Sequence, residues 1–152
     1  MKRHIPWIAA GLIVAGFATA ALAADMSGVI QARQAHYKEI GKAAKAINEA
    51  LKTGAPDVGA IKAAAKTIDA LAPQLPSWFP AGSGPEAGVK TTAKADIWSN
   101  SAEFKKDASA FAAEAKKFDA VAAGGDVNAI RAEFGNLGNS CKTCHQSFRT
   151  KD

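Results

Sequence analysis

Only two cysteines occur in the 152 residues, Cys141 and Cys144, three positions apart. A framework of structural disulfides is excluded, because neither thiol has a partner elsewhere in the chain. β-Branched runs are scarce and no convincing strand can be traced, so the βαβ setting that a redox dithiol wants is missing. No internal repeat, low-complexity tract or second-domain signal interrupts the chain. Methionine occurs twice, as the initiator and as Met26. The lysines are interleaved with acids, as on solvated helix faces, and no aromatic-basic patch of the kind that grips nucleic acid is present.

The N-terminus reads as an export signal. Lys2 and Arg3 precede an apolar stretch over 5–17, and Ala21-Leu22-Ala23 supplies small residues where a signal peptidase cuts. The stretch is too short for a membrane span, which wants roughly 20 apolar residues. We therefore expect residues 1–23 to be removed, leaving one periplasmic domain over 24–152 with no membrane association. Setting Lys2 and Arg3 aside lowers the formal charge from +5 to +3. Nucleic-acid binding is not expected.

Alanine, lysine and glutamate dominate the remainder, which favours helix. Four apolar seams alternate steps of three and four. The first runs through Met26, Ile30, Arg33, Tyr37, Ile40, Ala44, Ile47 and Leu51, a helix face of roughly 25 residues that turns Arg33 and Tyr37 inward. Gly54-Ala55-Pro56 stops it, and Asp57 is positioned to cap a second seam of Val58, Ile61, Ala65, Ile68 and Leu71. Pro73 opens a long irregular stretch in which Trp78 and Phe79 are expected to pack down. The third seam runs from Ile97 to Phe118, with Ser99 or Ser101 as its N-cap. Gly124-Gly125 turns the chain, and Asp126 caps a final seam of Val127, Ile130, Phe134, Leu137, Cys141, Cys144 and Phe148. The expected fold is all-α, an antiparallel four-helix bundle. Gly135 and Gly138 weaken the last helix, which suggests that a bulky neighbour approaches its backbone there.

Cys141-Lys142-Thr143-Cys144-His145 is a CxxCH box. Covalent haem attachment needs this order: each sulfur adds to one vinyl group, and the next imidazole reaches the iron as proximal ligand. A structural zinc site would want four ligands, and beyond these three only His36 is at hand. One haem c bound through Cys141 and Cys144, with His145 as the metal ligand, is the expected cofactor, seated inside the bundle near the C-terminus. Arg149 lies one turn past His145. It suits either the C-terminal end of the helix dipole or the proximal haem face. Arg33 on an apolar seam needs an anion, and a haem propionate matches its planar fork; snorkelling or an acidic side chain are the alternatives.

Taken together, the chain resembles the cytochrome c′ family of class II c-type cytochromes over nearly all of residues 24–152. The residues that carry the resemblance are Arg33-x-x-x-Tyr37, the Trp78 proline loop, Ile97-Trp98-Ser99, Gly125-Asp126 with Phe134-Gly135, and the terminal box with Phe148-Arg149. The resemblance implies a left-handed bundle, commonly a homodimer through its first two helices. It also implies His145 as proximal ligand, Arg149 close by, and Arg33 near a propionate. Family members divide by the residue four after the early arginine. A methionine there gives six-coordinate electron carriers, whereas an apolar residue leaves the distal face vacant for NO or CO.

Tyr37 departs from both patterns. Met26 stands 11 residues earlier on the same helix, about 16 Å along its axis, too far to replace the missing methionine. His36 lies about 100° off the seam. Tyr37 is expected as a lid over an open iron position, with a core aromatic or a phenolate ligand as alternatives. The expected role is one-electron transfer with redox partner proteins, binding of NO or CO, or both. Turnover is not expected. The alternative is a haem enzyme with weak peroxidase or nitrite/NO chemistry. Protein matured in a bacterial periplasm should show an intact mass equal to residues 24–152 plus one haem. The bare peptide mass would overturn the attachment.

Overall fold

A computed structural model describes residues 17–151, with side chains from Met26 onward. Most of the expected signal segment, including its basic and apolar parts up to residue 16, lies outside the described residues. Among the described residues five α-helices follow one another: α1 (Phe17–Lys52), α2 (Val58–Leu71), α3 (Asp96–Ser99), α4 (Ser101–Gly124) and α5 (Val127–Phe148). The four long ones form the bundle, with α1 packed on α2, α2 on α4, and α4 on α5.

The seams become the core. Ile30, Ile47, Ile61, Ile68, Phe118 and Ile130 are almost wholly buried, each on the expected face. The short turns form as their residues dictate. Asp57 accepts the Ala60 N–H at 2.9 Å and starts α2. Gly125 takes a left-handed conformation (φ +80°) that ends α4, and Asp126 accepts from the Asn128 and Ala129 N–H groups to start α5. The backbone of Gly125 lies beside Val58 and Lys62, so both tight turns sit at one end of the bundle. The middle of α1, the end of α2, the start of α4 and the end of α5 meet toward the other end.

The chain departs from the expected pattern in three places, two between α2 and α4 and one on α5. Pro73 does not open an irregular stretch at once, because Ala72–Trp78 winds as a 3-10 helix that buries Leu75 and Trp78. Neither Ser99 nor Ser101 caps the third helix. Asn100 (φ −118°, ψ 50°) breaks the chain into α3 and α4, and its side chain makes no cap bond. Glu133, which the apolar pattern passed over, is buried on α5, where Lys117 pairs with it at 2.9 Å and Asn136 donates to it at 3.2 Å. Trp78 and Phe79 pack down as expected. Trp98 holds this loop by donating its indole N–H to the carbonyls of Phe79 and Pro80. Gly84 fits under Trp98 so closely that a Cβ would come within 2.8 Å of the indole ring.

Phe118 is fully buried at the α4–α5 contact and meets the Phe134 ring at 5.7 Å between centroids. Phe118→Ala should lower the unfolding free energy of the protein by about 3–5 kcal/mol, read as an earlier midpoint in urea with an unchanged slope.

Candidate functional site

The antiparallel order brings the middle of α1 and the end of α5 to the same place. Arg33 and Tyr37 lie midway along α1, and the CxxCH box closes α5, so both face the open end of the bundle. There the helices enclose a largely apolar cavity of about 520 Å³, well inside the range of about 300–1,000 Å³ usual for ligand pockets. All six residues singled out by the sequence line it: Cys141, Cys144, His145, Arg149, Arg33 and Tyr37. Ile40, Phe104, Phe111 and Phe148 supply apolar walls.

Cys141 and Cys144 sit three apart on one face of α5, both half-buried and unbridged. Burial pushes the Cys141 thiol above its ordinary value. Burial, with Asp107 and Cys141 adding to it, pushes Cys144 up to about 11. A redox dithiol depends on the opposite shift, toward thiolate at neutral pH. His145 stands at the cavity mouth with its outer side exposed. Its partial burial, and then the neighbouring Arg149, lower its pKa, which favours the neutral imidazole that a metal requires. Arg149 follows the last turn of α5 and donates its N–H to the His145 carbonyl at 3.1 Å.

Tyr37 forms part of the opposite wall. Its ring meets Trp78 edge-on at 5.6 Å and Phe79 at 6.3 Å. Burial raises its pKa well above the ordinary tyrosine value, the cysteines add to the rise, and Arg33 opposes it. The hydroxyl is held neutral, which disfavours the phenolate alternative. His36 turns away from the cavity and stacks on Trp78, with ring centroids 4.6 Å apart and planes at 20°. Neither His36 nor Met26 is among the lining residues.

Arg33 is only 3% exposed, so it does not snorkel to solvent. It forms no ion pair with a carboxylate among the described residues either. Its guanidinium donates to the Ser83 hydroxyl and carbonyl at 3.0 Å each, to the Thr91 hydroxyl at 3.1 Å and to the Trp78 carbonyl at 3.4 Å. It also lies over the Phe79 ring at 4.4 Å. Ser83 and Thr91 carried no signal in the sequence. A serine between two glycines and a threonine pair in a loop gain meaning only when a guanidinium is folded against them. The expectation for Gly135 and Gly138 is corrected: a Cβ at either would meet nothing within 4 Å, and both face outward.

The cavity suits haem on its own terms. It offers two neutral thiols and an imidazole on one helix and a slot walled by rings. It also offers a buried cation whose partners are all neutral. Among the described residues no three His, Cys, Asp or Glu side chains group to hold a bare metal ion, which leaves a zinc site without its donors.

Comparison with known proteins points the same way. The family model described as Cytochrome C' matches residues 28–149. A cytochrome c' of Allochromatium vinosum is 34% identical over 155 residues, covering 99% of this chain and 100% of the relative. The crystal structure of cytochrome c' from Thermochromatium tepidum superposes with a TM-score of 0.78 at 28% identity, covering 83% of this chain and 97% of that one. A nitric oxide complex of a mutant cytochrome c prime from Alcaligenes xylosoxidans does so with a TM-score of 0.75 at 30% identity, covering 84% and 97%.

The chain contains one tyrosine, so absorbance near 295 nm titrates Tyr37 alone. Its midpoint should lie clearly above the ordinary value of about 10. Because the folded pKa is raised, the associated stability is intact below about pH 10 and is lost as pH rises through the folded pKa. An ordinary midpoint in the folded protein would contradict the buried placement.

Proposed function

The chain belongs to the cytochrome c′ family, and from that premise we propose that it is a periplasmic haem protein with an open distal iron position, used for binding NO or CO and for one-electron transfer. Its cofactor is haem c. Cys141 and Cys144 would hold the group covalently, and His145 would be its proximal ligand. When bound, the haem supplies a one-electron iron couple and a coordination position for a small diatomic gas.

The observation that carries this reading is the identity of the lining residues. Among the described residues around the cavity, His145 is the one imidazole and no methionine occurs. The chain's own side chains do the remainder. His145 presents a neutral nitrogen. Phe104, Phe111 and Phe148 keep water from the slot. The Tyr37 ring covers the distal side, and its neutral hydroxyl can donate a hydrogen bond to a ligand that displaces it. Arg33 offers a buried positive charge for a propionate, and Arg149 stands beside His145 on the proximal rim.

Turnover is not part of the proposal, since a tyrosine held neutral is a poor general base and His36 is stacked on Trp78 away from the slot. Export after cleavage at Ala23 and a homodimer through α1 and α2 complete it.

Ferrous protein should show a five-coordinate, high-spin spectrum that changes on addition of CO or NO. A sharp low-spin spectrum without added ligand would refute the open position. The lid must give up two edge-on ring contacts to admit a ligand, each worth about 0.5–1.5 kcal/mol. Tyr37→Ala should therefore raise CO affinity by roughly 10- to 100-fold, measured by titration of the ferrous form.

A further inference from the structure

The bundle leaves α1 and α5 on opposite sides of the cavity, without extensive direct packing between them. Five residues ahead of α3 join the two. On the α1 side, the Gln34 side chain donates to the Lys90 carbonyl at 2.9 Å, and Arg33 donates to the Thr91 hydroxyl at 3.1 Å. On the α5 side, the Thr150 N–H donates to the Thr92 carbonyl at 2.9 Å, and the Lys94 N–H donates to the Phe148 carbonyl at 3.0 Å. Ala93 and Arg149 pair there as an isolated antiparallel bridge. The Lys94 ammonium then donates to the carbonyls of Gln146 and Ser147, at 3.1 and 3.2 Å.

The last two bonds have a specific consequence. Gln146 and Ser147 immediately follow His145, and their carbonyls are among those that a helix end leaves without an internal partner. A cation placed on them satisfies the carbonyls and opposes the negative end of the helix dipole. Lys94 is not among the residues lining the cavity. Whatever it does for the site, it does through the turn that carries His145.

We propose that segment 90–94 is a strap that ties the Tyr37-bearing helix to the turn bearing His145, with Lys94 as the positioning residue that fixes the imidazole's backbone. Displacement of Tyr37 on one side of the cavity is thereby felt at the proximal ligand on the other, through Arg33 and Gln34, the strap and the end of α5. This inference rests on His145 being the proximal ligand.

The test uses mature holoprotein and two substitutions, Lys94→Met, which keeps the length and removes the donor, and Lys94→Arg, which keeps both charge and donors. Hydrogen exchange at the Arg149 and Thr150 amides should quicken about tenfold in Lys94→Met, as expected for loss of a charge-assisted hydrogen bond at a helix end. The iron–histidine stretching band in resonance Raman spectra of the ferrous protein should shift, and Lys94→Arg should restore both signals. A change in reduction potential alone, with exchange and the band unmoved, would reduce Lys94 to a through-space charge and overturn the proposal. So would wild-type behaviour of Lys94→Met. Should that variant not fold, Gln34→Leu breaks the strap at its α1 anchor. It should move the same band, and an unmoved band would overturn the coupling. A pyridine haemochrome spectrum of each variant separates these outcomes from failure of the haem reading, which would show as absent thioether-linked haem. An iron–histidine band absent from wild-type ferrous protein would refute His145 ligation itself.

Discussion

A guanidinium almost wholly removed from water must have its donors met, and that requirement shapes the working end of this molecule. Arg33 comes from the middle of a helix, where the backbone is already satisfied, so its partners have to come from elsewhere in the chain. They come from the connection between α2 and α4, at Trp78, Ser83 and Thr91. A loop that answers one cation at three separated points has little freedom left. Trp98 and the close fit of Gly84 beneath it remove more. This connection is in that sense folded around a single charge. Its hydrogen-bond partners are all neutral and Glu86 acts on it only through space, which gives an anionic edge of a bound group a reason to lie there.

The scaffold was legible in the sequence wherever periodicity or a short-range cap controls the outcome. The four seams, Asp57, Gly125 and Asp126 all act within a few residues of themselves, and all stand where the pattern puts them. The six residues of the site were legible for a related reason. Five of them lie on, or one step from, the apolar stripes of the first and last helices, and an antiparallel bundle has to bring those two ends together. Arg149, just past the end of the last stripe, follows the box to the same place.

What escaped the sequence was set by distant partners. Nothing local in Asn100 announces a break between α3 and α4, and Lys117 on a different helix gives Glu133 its reason to be buried. Ser83, Thr91 and the strap over 90–94 bear no periodic signal, because hydrogen bonds from Arg33, Gln34 and the end of α5 define them. Gly135 and Gly138 teach the opposite lesson. Their weakness as helix formers invited a packing explanation, and the structure shows open space beside both. A residue's cost is visible in a sequence; what offsets it is a three-dimensional matter.

The bundle is polarised. Both tight turns, at Gly54-Ala55-Pro56 and at Gly125, sit at the end opposite the cavity, and the first of them is largely exposed. The molecule thus has a handle as well as a mouth. A cysteine-free tag or surface linkage inserted at 54–55 would hold it upright on an electrode, with the opening toward solution. Every hydrogen bond that tunes the site would then lie at the far end of the helices from the point of attachment.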